Sequence, residues 1–454
     1  MNISRKETIT VPVGHLLLGS RFPILIQSMT NTSTSDISAT VVQVKNILTA
    51  GADMVRIAVP TMKDVDAFKK IRANLRAEGI IAPLIADVHF LPEIAEAVAP
   101  WAEKVRINPG NFVDKRQLKK KDFTDSAYRE ALEKMAQRAR PLLEICKQNG
   151  TAIRVGVNQG SLSDRIIHRY GNTPEAMAQS AMEWIDICEQ ADFSQLVFSM
   201  KSSRVNTMIE ATLLLDNLME KRGVRYPLHL GVTEAANGME ARVKSTIGIC
   251  TLLMHGLGDT VRISLTENPE NEIHFAKKML SVHDNYDERC YILQDGTLTV
   301  VSQETDMERW WAVVAISAAK HHISKKINHL ISNNFHFSLA ENEDLAATVM
   351  QACRIKIFKT EIIACPSCGR TQYDIQAVLA KVKEKFSDYP GLKIGVMGCV
   401  VNGPGEMADA DFGIVGSANN KIAIYRKGER VSDFLPIEKA LTLMEEVILK
   451  FKRE

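Results

Sequence analysis

Three cysteines stand where a packing thiol seldom stands. Cys365 and Cys368 form a C-x-x-C pair within Ala364-Cys365-Pro366-Ser367-Cys368-Gly369-Arg370, and Cys399 lies within Gly398-Cys399-Val400-Val401-Asn402-Gly403-Pro404-Gly405-Glu406. Each sits beside Gly or Pro, which places it in a loop. A tight turn points two thiols three residues apart the same way, so the pair can share one metal or one cluster. Three thiolates complete neither a four-ligand structural zinc site nor an all-cysteine iron–sulfur site. The fourth ligand has two candidates. Cys353 would complete a zinc held by four thiolates. Glu406, brought near by the Gly403-Pro404-Gly405 turn, would put a hard, displaceable oxygen on one iron of a soft, sulfide-rich cluster. Spacing leaves both open, with a redox disulfide as a third reading.

A second set of chemical residues lies inside apolar strands. Val-Arg-Ile occurs as Val55-Arg56-Ile57, Val105-Arg106-Ile107 and Val261-Arg262-Ile263, and Ile153-Arg154-Val155 is a near copy. Side chains alternate faces along a strand, so each Arg points away from its two apolar neighbours. Buried unpaired cations are costly, so these four need anions. Four separate carboxylate pairs would serve, but four equivalent positions are better explained by one shared anion. Lys201 adds a fifth cation. The guanidinium fork matches phosphate, and two phosphate groups could occupy several forks.

Other polar residues continue the same faces. Asp87 and His89 follow Leu84-Ile85-Ala86, Asn108 follows Arg106, and Asn158 lies four beyond Arg154. A lone His is more often structural, but His89 beside Asp87 at a strand end points to substrate contact. Glu234, after Leu230 and Val232, is the candidate proton donor, a role that needs a raised pKa. Its plainer role is to balance the arginines. Lys244-Ser245, at an expected helix start, is a further phosphate contact.

These residues need a scaffold that brings strand ends together. Eight apolar strands are expected at 24–29, 54–59, 83–87, 104–107, 152–157, 195–200, 228–232 and 260–265, with helical patterns between them. Alternating strand and helix implies a parallel sheet, and eight units in this length fit a TIM barrel over residues 1–280, with its site at the strand C-terminal ends. An open doubly wound sheet is the alternative, weakened by the lack of Gly-x-Gly-x-x-Gly after the first strand. Residues 281–350 read as a small α+β insertion. It has a hairpin at 291–300 turning on Asp295-Gly296 and a helix at 307–331. The adjacent pair His321-His322 diverges by about 100° on a helix and reads as surface rather than a metal site. Residues 351–454 read as a compact α/β domain. It has strands at 354–363, 393–397 and 411–415, a hairpin at 421–425 and helices at 374–386 and 436–450. The cysteines gather at one end of its sheet.

The two cysteine motifs together resemble the 4-hydroxy-3-methylbut-2-enyl diphosphate synthase family, the iron–sulfur reductases of the methylerythritol phosphate route to isoprenoids. The resemblance covers nearly the whole chain except the segment near 281–350. It implies a [4Fe–4S] cluster held by Cys365, Cys368, Cys399 and Glu406, which leaves Cys353 an ordinary buried thiol. It implies a cyclic diphosphate substrate surrounded by Arg56, Arg106, Arg154, Lys201, Arg262 and Ser264. Asp87, Asn158 and Glu234 would lie near the reacting carbons. Ferredoxin or flavodoxin would deliver two electrons. Short members of this family lack the inserted segment and close the barrel of one subunit with the cluster domain of its partner, so a similar homodimer is expected here. Larger members carry a full extra domain at the insertion.

Composition excludes other classes. Of 454 residues, 45% are hydrophobic and 24% charged, as in soluble globular proteins, and the net charge of +2 marks no polyanion-binding surface. No basic stripe with interleaved aromatics suggests nucleic acid. The basic run from Lys115 to Lys121 reads as a solvated loop. No 18-residue apolar run suggests a membrane span, and the first residues lack the apolar core of a signal peptide. Eight cysteines in such a chain read as reduced thiols in the cytoplasm. Cys146, Cys188 and Cys250 fall in apolar helical patterns and read as packing. Two other functions remain. One is a zinc-stabilised aldolase or isomerase of phosphate esters with Lys201 as Schiff-base nucleophile. The other is a zinc-ribbon module on an inactive barrel.

Overall fold

The structure, a computed structural model, describes residues 4–114, 123–371, 373–400, 403–417 and 420–451. The basic run at 115–121 lies outside them, as do Val401 and Asn402 of the second cysteine motif. The chain opens with a hairpin of β1 (Val11–Val13) and β2 (Leu16–Leu18). Val11, Val13 and Leu18 pack against Met54, Ile85, Ala152 and Val197, plugging the end of the barrel away from the strand C-termini. No sequence reading anticipated this plug.

The expected eight strands follow. They are β3 (Leu25–Met29), β4 (Met54–Ala58), β5 (Leu84–Asp87), β6 (Lys104–Ile107), β7 (Ala152–Asn158), β8 (Leu196–Lys201), β9 (His229–Leu230) and β10 (Thr260–Val261). The sheet runs β8-β7-β6-β5-β4-β3-β10-β9, and a parallel bridge between Phe198 and Leu228 closes it into a ring. This is a TIM barrel. The last two strands are shorter than expected, because Gly231 follows β9 and the chain after β10 leaves the ladder for the mouth. Helices start where side chains cap them. Thr61 and Asp64 form a reciprocal capping box, and Asp36 and Thr173 cap two other helices.

The inserted segment is a three-stranded sheet with two helices. β11 (Tyr291–Gln294) and β12 (Thr297–Val301) pair antiparallel about Asp295 and Gly296, which adopt φ of 50° and 78°, as a tight hairpin requires. The expected helix at 307–331 stops at His322. The chain reverses through Lys325, at φ 51°, and 329–333 forms β13 (His329–Asn333), parallel to β12. Helices Met307–His322 and Leu339–Ala352 pack on the barrel helix Gly238–Met254, and one apolar core runs from the barrel into Trp310, Val314, Leu345 and Val349. The insertion thickens the wall of the barrel.

The C-terminal domain has its own core around Ile362, Val396, Ile414 and Ile424. Its sheet orders β14 (Glu361–Ala364), β15 (Lys393–Met397), β16 (Phe412–Ser417), β17 (Lys421–Arg426) and β18 (Glu429–Arg430). The first three strands are parallel, and both cysteine loops leave from the ends of β14 and β15. Of the strand expected at 354–363, only the end is extended. Arg354 takes φ 59°, and the Gln351 side chain accepts from the N–H groups of Phe358 and Lys359. No helix among the described residues is long and apolar enough to cross a membrane.

Candidate active site

The barrel mouth is lined with cations that the strand pattern aims inward. Arg56, Arg106, Arg154, Lys201 and Arg262 all face one cavity of about 110 Å³, together with Asp87, His89, Asn158, Glu234 and Ser264. Their pairing differs. The Arg262 fork meets Glu272 at 2.9 and 3.0 Å, and Ser28 donates to the same carboxylate. Arg106 donates to Asp87 at 3.1 Å, to Asn158 Oδ1 at 3.0 Å and to the Gly156 carbonyl at 3.1 Å, and it also meets His89 Nε2. Arg154 has only Ser199 Oγ, at 2.7 Å, and its Nε and Nη2 have no partner among the described residues. Lys201 Nζ has none there either, and Arg56 Nε meets only the Met29 sulfur. Gly156 and Gly231 make room, since a Cβ at either would collide with Arg106 or with Lys201. Thus the plain reading of four Arg–carboxylate pairs holds for Arg262 and Arg106 and fails for Arg56 and Arg154.

The charges set the protonation of their neighbours. Burial pushes the Asp87 carboxyl up, but Arg56, Arg106 and Arg370 outweigh it and hold it well below the ordinary carboxylate range. Burial, then Arg370 and Arg106, push His89 down to about 3, so its ring is neutral. Burial and the cationic neighbours Arg154 and Arg262 push the Lys201 amine well down.

The C-terminal domain supplies the roof. Cys365, Cys368, Cys399 and Glu406 line the same cavity. Cys365 sits just past β14, and its sulfur accepts from the Gly398 N–H at 3.2 Å. Burial raises the Cys365 thiol, and Cys368 and Cys399 are close enough to raise it further. Ser367, between the two thiols, takes φ 61°, the tight turn that points them alike. Among the described residues, no three His, Cys, Asp or Glu side chains converge on a point that would hold a single metal ion. Cys353 lies outside this cavity, buried in the core shared by barrel and insertion. Three soft sulfurs and one carboxylate thus line one cavity, a set whose chemistry fits an iron–sulfur group.

Roof and mouth are joined by short contacts within one chain. Arg370 reaches across to Asp87 at 2.5 Å, and Asn158 Nδ2 donates to Glu406 Oε1 at 2.7 Å. Thr266 donates to the Cys365 carbonyl at 2.9 Å, and a parallel bridge pairs Ala235 with Ala364. That bridge is bought with strain, since Glu234 and Ala236 take φ of 50° and 72°. The strained turn holds Glu234 in the cavity close to Glu406. Burial, then Glu406, push Glu234 well up, which favours its protonated form, and burial raises Glu406 too. Within this chain the C-terminal domain covers the mouth of its own barrel, where the resemblance implies closure by a partner's domain.

Every candidate residue read from the sequence meets in this cavity except Cys353, Asn108, Lys244 and Ser245. Asn108 instead caps a short helix and donates to Ser161. Lys244 lies inside a helix on another face, because that helix begins at Gly238 rather than near Lys244. Sequence reasoning missed Glu272 and Arg370. Glu272 sits on the last barrel helix in no motif. Arg370 stands within the first cysteine motif, where a cation beside thiolates was the available signal.

Comparison with known proteins places this geometry. Residues 8–277 match the family model described as the GcpE TIM-barrel domain, and residues 361–450 match the GcpE protein C-terminal domain. The chain is similar to the 4-hydroxy-3-methylbut-2-en-1-yl diphosphate synthase (flavodoxin) of Bacteroides fragilis strain YCH46. The two are 35% identical over 600 aligned positions, covering 98% of this chain and 96% of the relative. The ferredoxin-type synthase of Synechococcus sp. strain CC9902 is 39% identical over 431 positions, covering 94% and 90%. The first alignment is longer than this chain, so that relative carries residues this one lacks. The inserted segment falls between the two family matches.

Proposed function

Because the chain belongs to the GcpE family of 4-hydroxy-3-methylbut-2-en-1-yl diphosphate synthases, redox enzymes that include flavodoxin- and ferredoxin-dependent members, we propose that its site reduces 2-C-methyl-D-erythritol 2,4-cyclodiphosphate to 4-hydroxy-3-methylbut-2-enyl diphosphate. One ring C–O bond breaks, one hydroxyl leaves as water, and a double bond forms. Two electrons and two protons are consumed. Flavodoxin or ferredoxin supplies the electrons. A [4Fe–4S] cluster held by Cys365, Cys368, Cys399 and Glu406 would pass them to the substrate one at a time. All eight cysteines are free thiols, in keeping with a reducing cytoplasm.

The chain's own residues do the rest. Arg56, Arg154 and Lys201, which no carboxylate pairs, receive the diphosphate, with Arg106, Arg262 and Ser264 completing its surround. Glu272 orients Arg262, and Asp87 with Asn158 orients Arg106. Fixing the anion places the carbon skeleton between the mouth and the thiols. Glu234 gives its proton to the departing hydroxyl oxygen, so water leaves in place of hydroxide. The roof excludes bulk water from the reduced intermediates.

The observation that carries this reading is a single cavity holding unpaired cations on its floor and three thiols on its roof. It also argues against the aldolase or isomerase reading and the inactive-barrel module, which give the thiols no part at the mouth. The test is an anaerobic visible spectrum with iron and sulfide analysis, followed by turnover with reduced flavodoxin. About four iron and four sulfide per chain, with absorption near 400 nm, are expected for such a cluster. A colourless protein with one zinc after anaerobic reconstitution would sink the reading. Glu234→Gln should bind substrate normally and lose on the order of 10²–10⁴-fold in kcat. Unchanged kcat would remove Glu234 from the proton step.

A further inference from the structure

One buried cation of the roof has no part in the reaction proposed above. Arg370 stands two residues past Cys368 and is only 9% exposed. Gly369 before it lies against the Thr32 carbonyl, where a Cβ would come within 2.6 Å, so the first cysteine loop presses on the barrel. Arg370 lines the mouth cavity, and its Nη2 and Nη1 reach Asp87 Oδ2 at 2.5 and 3.5 Å. Ion pairs elsewhere on the seam, Arg204 with Asp409 and Lys383 with Glu240, are partly exposed. A fully buried pair is costly to desolvate, so simple fastening of the roof does not account for Arg370 and Asp87.

Asp87 is already engaged on the floor. Its Oδ1 accepts from Arg106, Arg106 donates onward to Asn158 Oδ1, and the Asn158 amide donates to Glu406. One chain of contacts thus runs from the first cysteine loop through the floor to the carboxylate of the second motif. Arg370 also adds to the positive charge that Arg56 and His89 face. Seating the loop therefore brings a cation onto a floor where Arg56, Arg154 and Lys201 have no carboxylate partner among the described residues. Like charges oppose that approach, and Asp87, shared with Arg106, offsets it only in part. An anion on the floor reverses the sign.

We propose that Arg370 is a positioning residue, which through Asp87 couples the seating of the first cysteine loop to the presence of a diphosphate at Arg106 and its neighbours. The inference rests on the mouth being a diphosphate site. It gives the anion a second task besides anchoring the substrate, since the charge that settles on the floor also admits the guanidinium of the roof. By linkage, the anion and the seated loop favour each other by the same factor.

The test is backbone hydrogen exchange of the whole protein, with and without inorganic pyrophosphate. The seam amides are Ala364, which donates to the Glu234 carbonyl, and Ala236, which donates to the Ala364 carbonyl. In the wild type, saturating pyrophosphate should slow both by about fivefold or more and leave Ile394 of the roof sheet unchanged. Arg370→Met should lose that response, and its affinity for pyrophosphate should fall by a similar factor. Arg370→Lys keeps the charge and should restore most of both. A response that persists in Arg370→Met would overturn the proposal. With affinity unchanged, Arg370 would then be a structural charge, and with affinity lowered, a direct phosphate contact. A wild-type seam indifferent to pyrophosphate would overturn it as well. Failure to find iron, sulfide or turnover would sink the proposed reaction and not this coupling, because exchange at the seam needs neither.

Discussion

Lys104 is fully buried one step below the arginine tier, and among the described residues its hydrogen-bond partner is the Met54 sulfur at 3.3 Å. Burial, then Arg154 and Arg56, push its amine well below the ordinary value of 10.5. The folded protein thus binds fewer protons at Lys104 than the unfolded chain does at neutral pH. Its contribution to stability is unfavourable there and eases as pH rises toward 10.5, where the unfolded chain also loses the proton. Lys104→Met should raise the stability of the ligand-free protein at pH 7 by on the order of 1–3 kcal/mol. The wild-type Tm should rise with pH between about 7 and 10, and Lys104→Met should flatten that rise. An unchanged pH slope would mean that Lys104 is solvated or paired. The inward arginines were legible because period-two alternation leaves a strand residue only two directions. The partners that sort them were not. Glu272 reaches Arg262 from a helix, a contact that local spacing cannot encode, and Arg370 reaches Asp87 from 283 residues away.

At the scale of elements, the seam depends on two loops approaching closely. Gly160, after β7, lies against the backbone of Glu406, and a Cβ there would come within 2.7 Å of it. Gly160→Ala should leave both cores intact and hold the roof away from the mouth. Its kcat should fall by about 10²-fold, the scale set by misplacing reacting groups by about 1 Å. Iron, sulfide and Tm should stay close to wild type. A fully active Gly160→Ala would show that the loops yield without cost. The barrel strands could be read because apolar runs recur with polar ends. The inserted helix was read nine residues too long because the apolar pattern of β13 continues that of the helix, and only the positive φ at Lys325 divides them. The β1–β2 plug was missed because three-residue strands carry too few residues to show a period.

Over the whole molecule, floor and roof of the site come from one chain. Mixing Cys399→Ser protein with Arg262→Ala protein should therefore restore no activity. Recovery toward about a quarter of wild type would mean that roofs close across subunits. The insertion explains how one chain can reach. Its helices share the barrel core and lie on Gly238–Met254, carrying the chain along the outer wall to β14 at the mouth. That continuity also sets an order in time. Barrel and insertion form one folding unit that is complete when Cys353 has been made, whereas the roof has a core of its own. Roughly 100 residues then remain, on the order of 5–20 s of synthesis. For that interval each nascent chain presents a finished cationic bowl with no lid. Its first encounter with a small anion in the cell can therefore precede the making of the cysteines that line the roof.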